Sequence, residues 1–346
     1  MEDTTKLDIK KSAKDILETI EREREREIIA RRFGLYDRKE TLEQIGELLG
    51  ITRERVRQLE KAILIRLKLS AEKDLPHINE VEKEFIKYLS EMGRAARTSD
   101  LAAKVGETGD DRDKAHVAFL ATIAPNLTLL DENDDFYQAV AIKEHHDEKQ
   151  LKERVLNIVK TIKAHGEPVT IPELHAKLEG YEHPDHVHAL TTISKNLATL
   201  KDKWGHIKWP LVNPKNIRDK IYVILQENEK PMHFSKISSK IKDSDFKRKD
   251  VTTQAIHNEL IKDKRFVLIG RGIYALKEWG YQRGTVADII AKVLSKAKEP
   301  MHRDDIVREV LKSRQVKETT ILLNLQGKPQ FKRVAKATYE LADKEK

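Results

Sequence analysis

The densest chemistry in the sequence lies between Thr52 and Lys61, where Arg53, Glu54, Arg55, Arg57 and Gln58 crowd into two helical turns. These side-chain types can read base edges in a major groove: Arg pairs with guanine O6/N7, Gln with adenine N6/N7, and Glu accepts from cytosine N4. At about 100° per residue, Val56, Leu59 and Ile63 share one helix face. Arg57, Lys61, Glu54 and Gln58 fall opposite, with Arg53 beside them and Arg55 near the flank of the apolar stripe. The competing reading is a solvated face laced with ion pairs, which most charged helix faces are. Chemistry alone leaves both open.

The elements that must position this face are legible upstream. Thr41–Leu49 reads as a short helix, Gly50 as the left-handed residue that ends it, and Thr52 as the N-cap of the next helix. Helix, glycine-containing turn and helix make a helix-turn-helix. Its second helix presents Arg53, Glu54, Arg57 and Gln58 in its first two turns, where a recognition helix enters the groove.

This stretch resembles region 4 of the sigma-70-type initiation factors of bacterial RNA polymerase. The resemblance rests on Arg24-Glu25-Arg26-Glu27, Arg32-Phe33-Gly34-Leu35, Thr41-Leu42, Ile45-Gly46, Leu49-Gly50-Ile51 and Thr52-Arg53-Glu54-Arg55-Val56-Arg57-Gln58-Leu59-Glu60. In that family the second helix reads the minus-35 promoter element. The resemblance therefore implies base contacts at Arg53, Glu54, Arg57 and Gln58 and phosphate contacts at Thr41 and Arg55. Thr52 and Lys61, on the same helix, are further backbone-contact candidates. Region 4 also grips the polymerase flap, which implies polymerase as a partner. Only 23 residues precede Arg24 in the sequence given. They leave no room for the regions that open promoter DNA, so a complete initiation factor is not expected. The run Glu21–Glu27 has no apolar stripe and reads as a solvated helix start.

From residue 80 onward one plan of about sixty-five residues recurs four times. An amphipathic helix (Phe85/Leu89, Val155–Ile162, Ile221–Leu225, Ile289–Leu294) leads into a short connection. Second helices follow at Leu101–Val105, Ile171–Leu178, Phe234–Ile241 and Asp305–Leu311, then third helices and β-like runs at Phe136–Val140, His206–Val212, Phe266–Leu276 and Phe331–Leu341. In three connections a proline (Pro168, Pro231, Pro300) stops the first helix, and a following polar residue can cap the second. Gly270-Arg271-Gly272 reads as the turn of a hairpin.

Three helices and a hairpin make a winged helix, and the last two units are similar to the HARE-HTH family, the type that also forms the folded part of the RNA polymerase delta subunit. The carriers are Pro231-Met232-His233 with Gly270-Arg271-Gly272-Ile273-Tyr274, and Pro300-Met301-His302 with Tyr339-Glu340-Leu341. The fourth unit has Ala335-Lys336-Ala337 where the third has its glycines. The expected architecture is mainly α: a helix-turn-helix at 1–70, then a tandem winged-helix array at 77–146, 150–213, 215–282 and 284–343. Winged helices usually lay the third helix in the major groove and the wing along the backbone. For the third unit that implies backbone contacts by Lys247, Arg248, Lys249, Gln254 and Arg271, with Thr252, Thr253 and His257 nearby. The fourth unit offers Lys317, Thr319 and Thr320, with Lys332, Arg333 and Lys336 about its wing.

The 346 residues are 36% charged against an ordinary share of about 25%, which favours several small cores over one large one. The net +8 is segmented: +2 over 1–70, −8 over 71–150, +2 over 151–212, +7 over 213–283 and +5 over 284–346. The acidic segment is a poor match for DNA and reads as a protein-docking module, whereas the basic ones suit phosphate contact. Cysteine is absent, which removes disulfides, thiolate zinc and Cys nucleophiles. No phosphate loop or His-Glu-x-x-His pair occurs. His183, His186 and His188, with His175 nearby, lack a fixed zinc frame. Asp131–Asp135 begins like a calcium loop, but Phe136 and Ile142 replace its glycine and closing glutamate. The chain is therefore expected to be a non-enzymatic, DNA-binding transcription protein without cofactors, metal or small-molecule substrate. Its expected partners are promoter-like double-stranded DNA and RNA polymerase, and its expected location the cytoplasm, at the nucleoid, not a membrane. An accessory or scaffold protein of the polymerase is the alternative, and the DNA-recognition part of a restriction or defence system a third.

Overall fold

The computed structural model describes residues 7–342, so the extreme ends of the first and last expected modules, residues 1–6 and 343, lie outside it. It divides into two units, with the boundary in the chain between Ile207 and Lys208.

The first unit opens with α1 (Ile9–Glu18), α2 (Glu23–Phe33), α3 (Leu42–Leu49) and α4 (Arg53–Ala71). Asp8 caps α1 by accepting from the Lys11 amide at 2.8 Å. Thr41 and Gln44 form a reciprocal capping box on α3. Ile28, Ile45 and Val56 make a small core of their own within α2–α4. The other buried side of α4, through Ile63, Leu67 and Ala71, joins a larger core running from Ile9 to Ile142. That core includes α5 (Ile78–Glu91), α6 (Thr98–Val105) and α7 (Asp111–Ile123), and Phe33 meets Phe119 edge-on at 5.3 Å. Glu25, in the run read as a solvated helix start, is 7% exposed and holds Arg22 and Arg66. The run lacks an apolar stripe, yet Ile28, Ile29 and Ala30 just after it bury this side of α2.

After α4 one order of elements recurs four times: helix, short strand, helix, helix, strand, strand. The first copy is α5, β1 (Ala95–Arg97), α6, α7, β2 (Leu127–Leu130) and β3 (Ala139–Ile142). The second is α8 (Glu148–His165), β4 (Val169–Thr170), α9 (Ile171–His175), α10 (Pro184–Ile193), β5 (Leu197–Leu200) and β6 (Lys203–His206). Each forms a three-stranded antiparallel sheet with the last strand in the middle. Both hairpins start earlier than the sequence reading placed them. Phe136 instead makes an isolated bridge to Ser194. The acidic loop at 131–135 is docked, with Glu132 on Lys195 at 2.6 Å and Asp135 accepting from Asn196 at 2.8 Å.

In the second unit the same order gives α11 (Ile217–Asn228), β7 (Met232–His233), α12 (Phe234–Lys242), α13 (Thr253–Lys262), β8 (Phe266–Gly270) and β9 (Ile273–Leu276). It repeats as α14 (Val286–Ala297), β10 (Met301–His302), α15 (Arg303–Ser313), α16 (Glu318–Gly327), β11 (Phe331–Ala335) and β12 (Thr338–Leu341). The polar residue after each proline does cap the second helix: Thr170, His233 and His302 accept from Glu173, Ser235 and Asp304 amides. The fourth hairpin closes without glycine because Ala337 takes the left-handed position, φ 58°, that Gly272 holds at 71° in the third.

No described helix is long and apolar enough to cross a membrane.

Candidate nucleic-acid interface

Helix α4 starts at Arg53 because Thr52 accepts from the Arg55 amide at 3.2 Å, meeting one of the unpaired donors of the first turn. Its direction is set by the turn before it. Gly50 is left-handed at φ 63°, and the Ile51 amide donates to the Gly46 carbonyl at 2.9 Å. A Cβ on Gly46 would stand 2.7 Å from the Ile51 carbonyl oxygen, so only glycine lets the turn fold this close. Three pairs clamp α2 to α3 and α4. Arg24 donates to the Leu49 carbonyl, Arg32 meets Glu60 at 3.1 Å, and Arg66 reaches Glu25. The hydrogen bond from Arg66 is the largest cause holding the Glu25 carboxyl below its ordinary range.

The outward face of α4 is a closed polar network. Arg57 Nε and Nη2 donate to both oxygens of Glu54 at 2.8 and 2.7 Å. Gln58 Nε2 donates to Glu54 at 3.2 Å, and Arg55 Nη1 to the Gln58 carbonyl at 3.4 Å. Hydrogen bonding from Arg57 leads in pulling the Glu54 carboxyl down to about 2, with Gln58 and the Arg53 charge adding to it. Glu54 is thus an obligate acceptor at neutral pH, and it fixes which edges Arg57 and Gln58 present. All five residues from Arg53 to Gln58 except buried Val56 are exposed, and exposed ion pairs are weakly held, so exchange of Glu54 for a base edge is open to Arg57. Thr41 and Thr52 are occupied as caps through their oxygens, which leaves each hydroxyl hydrogen for a phosphate. Lys61 is exposed and borders an open groove with Arg57, Leu64, Ile65 and Lys68.

A second basic surface lies in the third repeat. Lys247, Arg248 and Lys249 are exposed in the loop leading to α13, and Thr252 caps that helix by accepting from Ala255 at 3.2 Å. Gln254 is exposed and donates to Asn258 at 3.0 Å. The loop is anchored by a residue the sequence reading missed. Lys220 of α11, 3% exposed, donates to the carbonyls of Lys247 and Arg248 at 2.8 and 2.7 Å. Burial, then the Arg248 charge, pushes the Lys220 ammonium below its ordinary range. A lysine inside an apolar stripe is its only sequence signal. Arg248 itself is left-handed at φ 54°. Arg271 is exposed at the β8–β9 turn, and a Cβ on Gly272 would come 2.5 Å from His233 Nε2, so the turn presses on the start of α12. In the fourth repeat Lys317, Thr319, Thr320, Lys332, Arg333 and Lys336 are all exposed.

The histidines considered for zinc have other tasks. His183 caps α10, His175 meets the Tyr181 carbonyl at 3.0 Å, and His188 packs on Trp204. Among the described residues no group of three His, Asp or Glu side chains is arranged to hold a metal ion.

Comparison with known proteins agrees with this geometry at the N-terminus. Residues 22–69 match the family described as Sigma-70, region 4, and form a domain of that kind. Among the curated relatives is an RNA polymerase sigma factor SigA from Bacillus sp., 44% identical over 61 residues. The match covers 17% of this chain and 16% of that relative, so the chain spans about a sixth of its length.

Proposed function

We propose that this protein is a DNA-binding transcription regulator that reads a short promoter-like duplex sequence through Arg53, Glu54, Arg57 and Gln58. The observation that carries the reading is the exposed Arg57–Glu54–Gln58 network on the second helix of a region 4 domain. Charged and amide groups there are pre-aimed outward, while Val56, Ile63, Leu67 and Ala71 of the helix are buried in the core. We read the four repeats as winged helices, with domain limits near 77–146, 150–213, 215–282 and 284–343. The third and fourth, which resemble HARE-HTH units, would add phosphate contacts through Lys247, Arg248, Lys249, Gln254 and Arg271. This division of labour needs no catalytic step and no cofactor, and it places the protein at the nucleoid, working with RNA polymerase.

The test is competition binding at one salt concentration. Arg57→Ala is expected to lower the ratio of selected to random DNA by roughly tenfold or more, the worth of a good bidentate base contact. An unchanged ratio for both Arg57→Ala and Gln58→Ala would remove base reading by α4.

A second reading is favoured by one observation: Ile65 and Leu69 are about half exposed on α4, beside the groove at Lys61. An apolar strip of this kind suits a protein surface, and an accessory protein of the polymerase would use it. Retention on core RNA polymerase at low salt, lost in Ile65→Asp, is the outcome that reading expects.

A further inference from the structure

Within the first unit a cleft of 240 Å³ opens between the first two repeats, with Arg94, His146, Arg154 and His186 in its wall and Glu144 and Glu182 beside them. Neither DNA-facing surface described above uses any of these residues. Arg94 is placed there by a backbone that few side chains adopt. Gly93 and Arg94 are consecutive left-handed residues, at φ 89° and 72°. The pair is held on both sides, with Arg94 N donating to Leu89 O at 2.6 Å and Ile142 N to Arg94 O at 3.0 Å. A Cβ on Gly93 would stand 2.3 Å from the Asp185 carbonyl oxygen, so the turn is pressed onto α10. A strained non-glycine residue whose side chain lines a cleft is a marker of a site.

The lining carries two acids as well, Glu144 and Glu182, both exposed side chains, so the site depends on the guanidinium that no acid holds. Among the described residues Arg154 meets no carboxylate, and its guanidinium lies over the Tyr181 ring at 5.7 Å. Its Nη1 stands 3.4 Å from His146 Nδ1. Arginine can only donate, so Nδ1 accepts and the proton of a neutral His146 sits on Nε2. Burial, then the Arg154 charge, pushes His146 down to about 4, so at neutral pH this 2%-exposed ring is uncharged and holds Arg154 without neutralising it. Arg94 pairs with Glu182 at 2.6 Å, but the Glu182 side chain is 75% exposed and can leave for solvent. The two guanidiniums disfavour a cation. Their forked N–H groups can donate in pairs to the oxygens of a phosphoryl group.

We propose that this cleft binds one small phosphoryl anion, either free phosphate or the phosphate end of a small ester, and that occupancy braces the first two repeats against each other. Binding to the folded state alone raises stability by mass action.

The test is calorimetric titration of the full chain with inorganic phosphate and, separately, glycerol 3-phosphate, with melting temperature read in parallel and chloride and acetate at matched ionic strength. One saturable site per chain and a raised melting temperature are expected, and the preferred probe tells free phosphate from ester. Arg154→Gln should weaken binding roughly tenfold, with Arg154→Lys partly restoring it. His186→Ala, which removes a half-exposed ring, should weaken it several-fold and serves if the first variant does not fold. Absence of a saturable site, or a site indifferent to both changes, overturns the proposal. So does Arg154→Gln weakening duplex DNA while phosphate binding stays as it was, since the cleft would then hold a DNA phosphate.

Discussion

On α4 the basic residues share their face with an acid and an amide, whereas the loop before α13 carries Lys247, Arg248 and Lys249 in a row. The α4 face is internally bonded, Arg57 to Glu54 and Glu54 to Gln58, so each donor has a set direction. In the loop the backbone is fixed, by Lys220 on two carbonyls, while the side chains above it stay free in direction apart from Lys249, which donates to Ser244 at 3.1 Å. Fixed donors with an acceptor among them can discriminate between bases; a row of loosely aimed cations can only count phosphates. The two surfaces therefore fit selection and sequence-independent attachment respectively.

The comparison can be broken at several points. The largest effect is expected at Lys220. Lys220→Met leaves two part-buried carbonyls without their donor, costing about 1–3 kcal/mol in all because solvent can reach the loop in part. Chemical denaturation should show that loss, and DNA affinity should fall for all sequences alike. Glu25→Gln comes next, with a loss of about 2 kcal/mol from its charge-assisted bonds. Glu25 also sets a pH dependence. Its carboxyl is depressed in the folded state, so its contribution is present above the ordinary 4.5 and fades as pH falls through the lowered value. The glutamine variant should lack that acid limb in a stability-against-pH profile.

Smaller and more diagnostic is Lys249→Ala. It should weaken selected and random DNA by the same factor and reduce the salt slope by roughly one. A change in selectivity instead would erase the contrast between the two faces. The smallest effect is spectroscopic. Carbon-detected titration should find Glu54 near 2, returning toward 4.5 in Arg57→Ala. A Glu54 already near 4.5 in the intact chain would mean the network does not form in solution.

How far the sequence carries this picture depends on whether the signal is local. Val56 and Ile63 at helical spacing, Gly50 as terminator and Thr52 as cap are decided within a few residues, and the structure has each where the pattern puts it. The first two hairpins were misplaced for a physical reason. Leu127-Thr-Leu-Leu130, set off from α7 only by Ala124-Pro125-Asn126, is a four-residue run without the alternation of a half-buried strand, and Lys203-Trp-Gly-His206 has little strand propensity. Both strands exist because a partner strand lies beside them. Long-range pairs had no local signal at all: Glu25 with Arg66, Arg32 with Glu60, and Lys220 with the loop at 247–248. The expected modules 1–70 and 77–146 likewise gave no hint of the core that runs through both, from Ile9 to Ile142. That shared core makes the intact chain the right object for binding work, since the N-terminal segment alone would expose Ile63 and Leu67.

The most direct measurement is in vitro selection of duplex DNA by the full chain and by its Arg57→Ala variant at one fixed salt concentration. Base reading by α4 requires that the wild-type chain enrich a short motif and that the variant lose preference at one or two positions within it while still holding DNA. Recovery of no motif, or of the same motif at the same strength by both proteins, would contradict it.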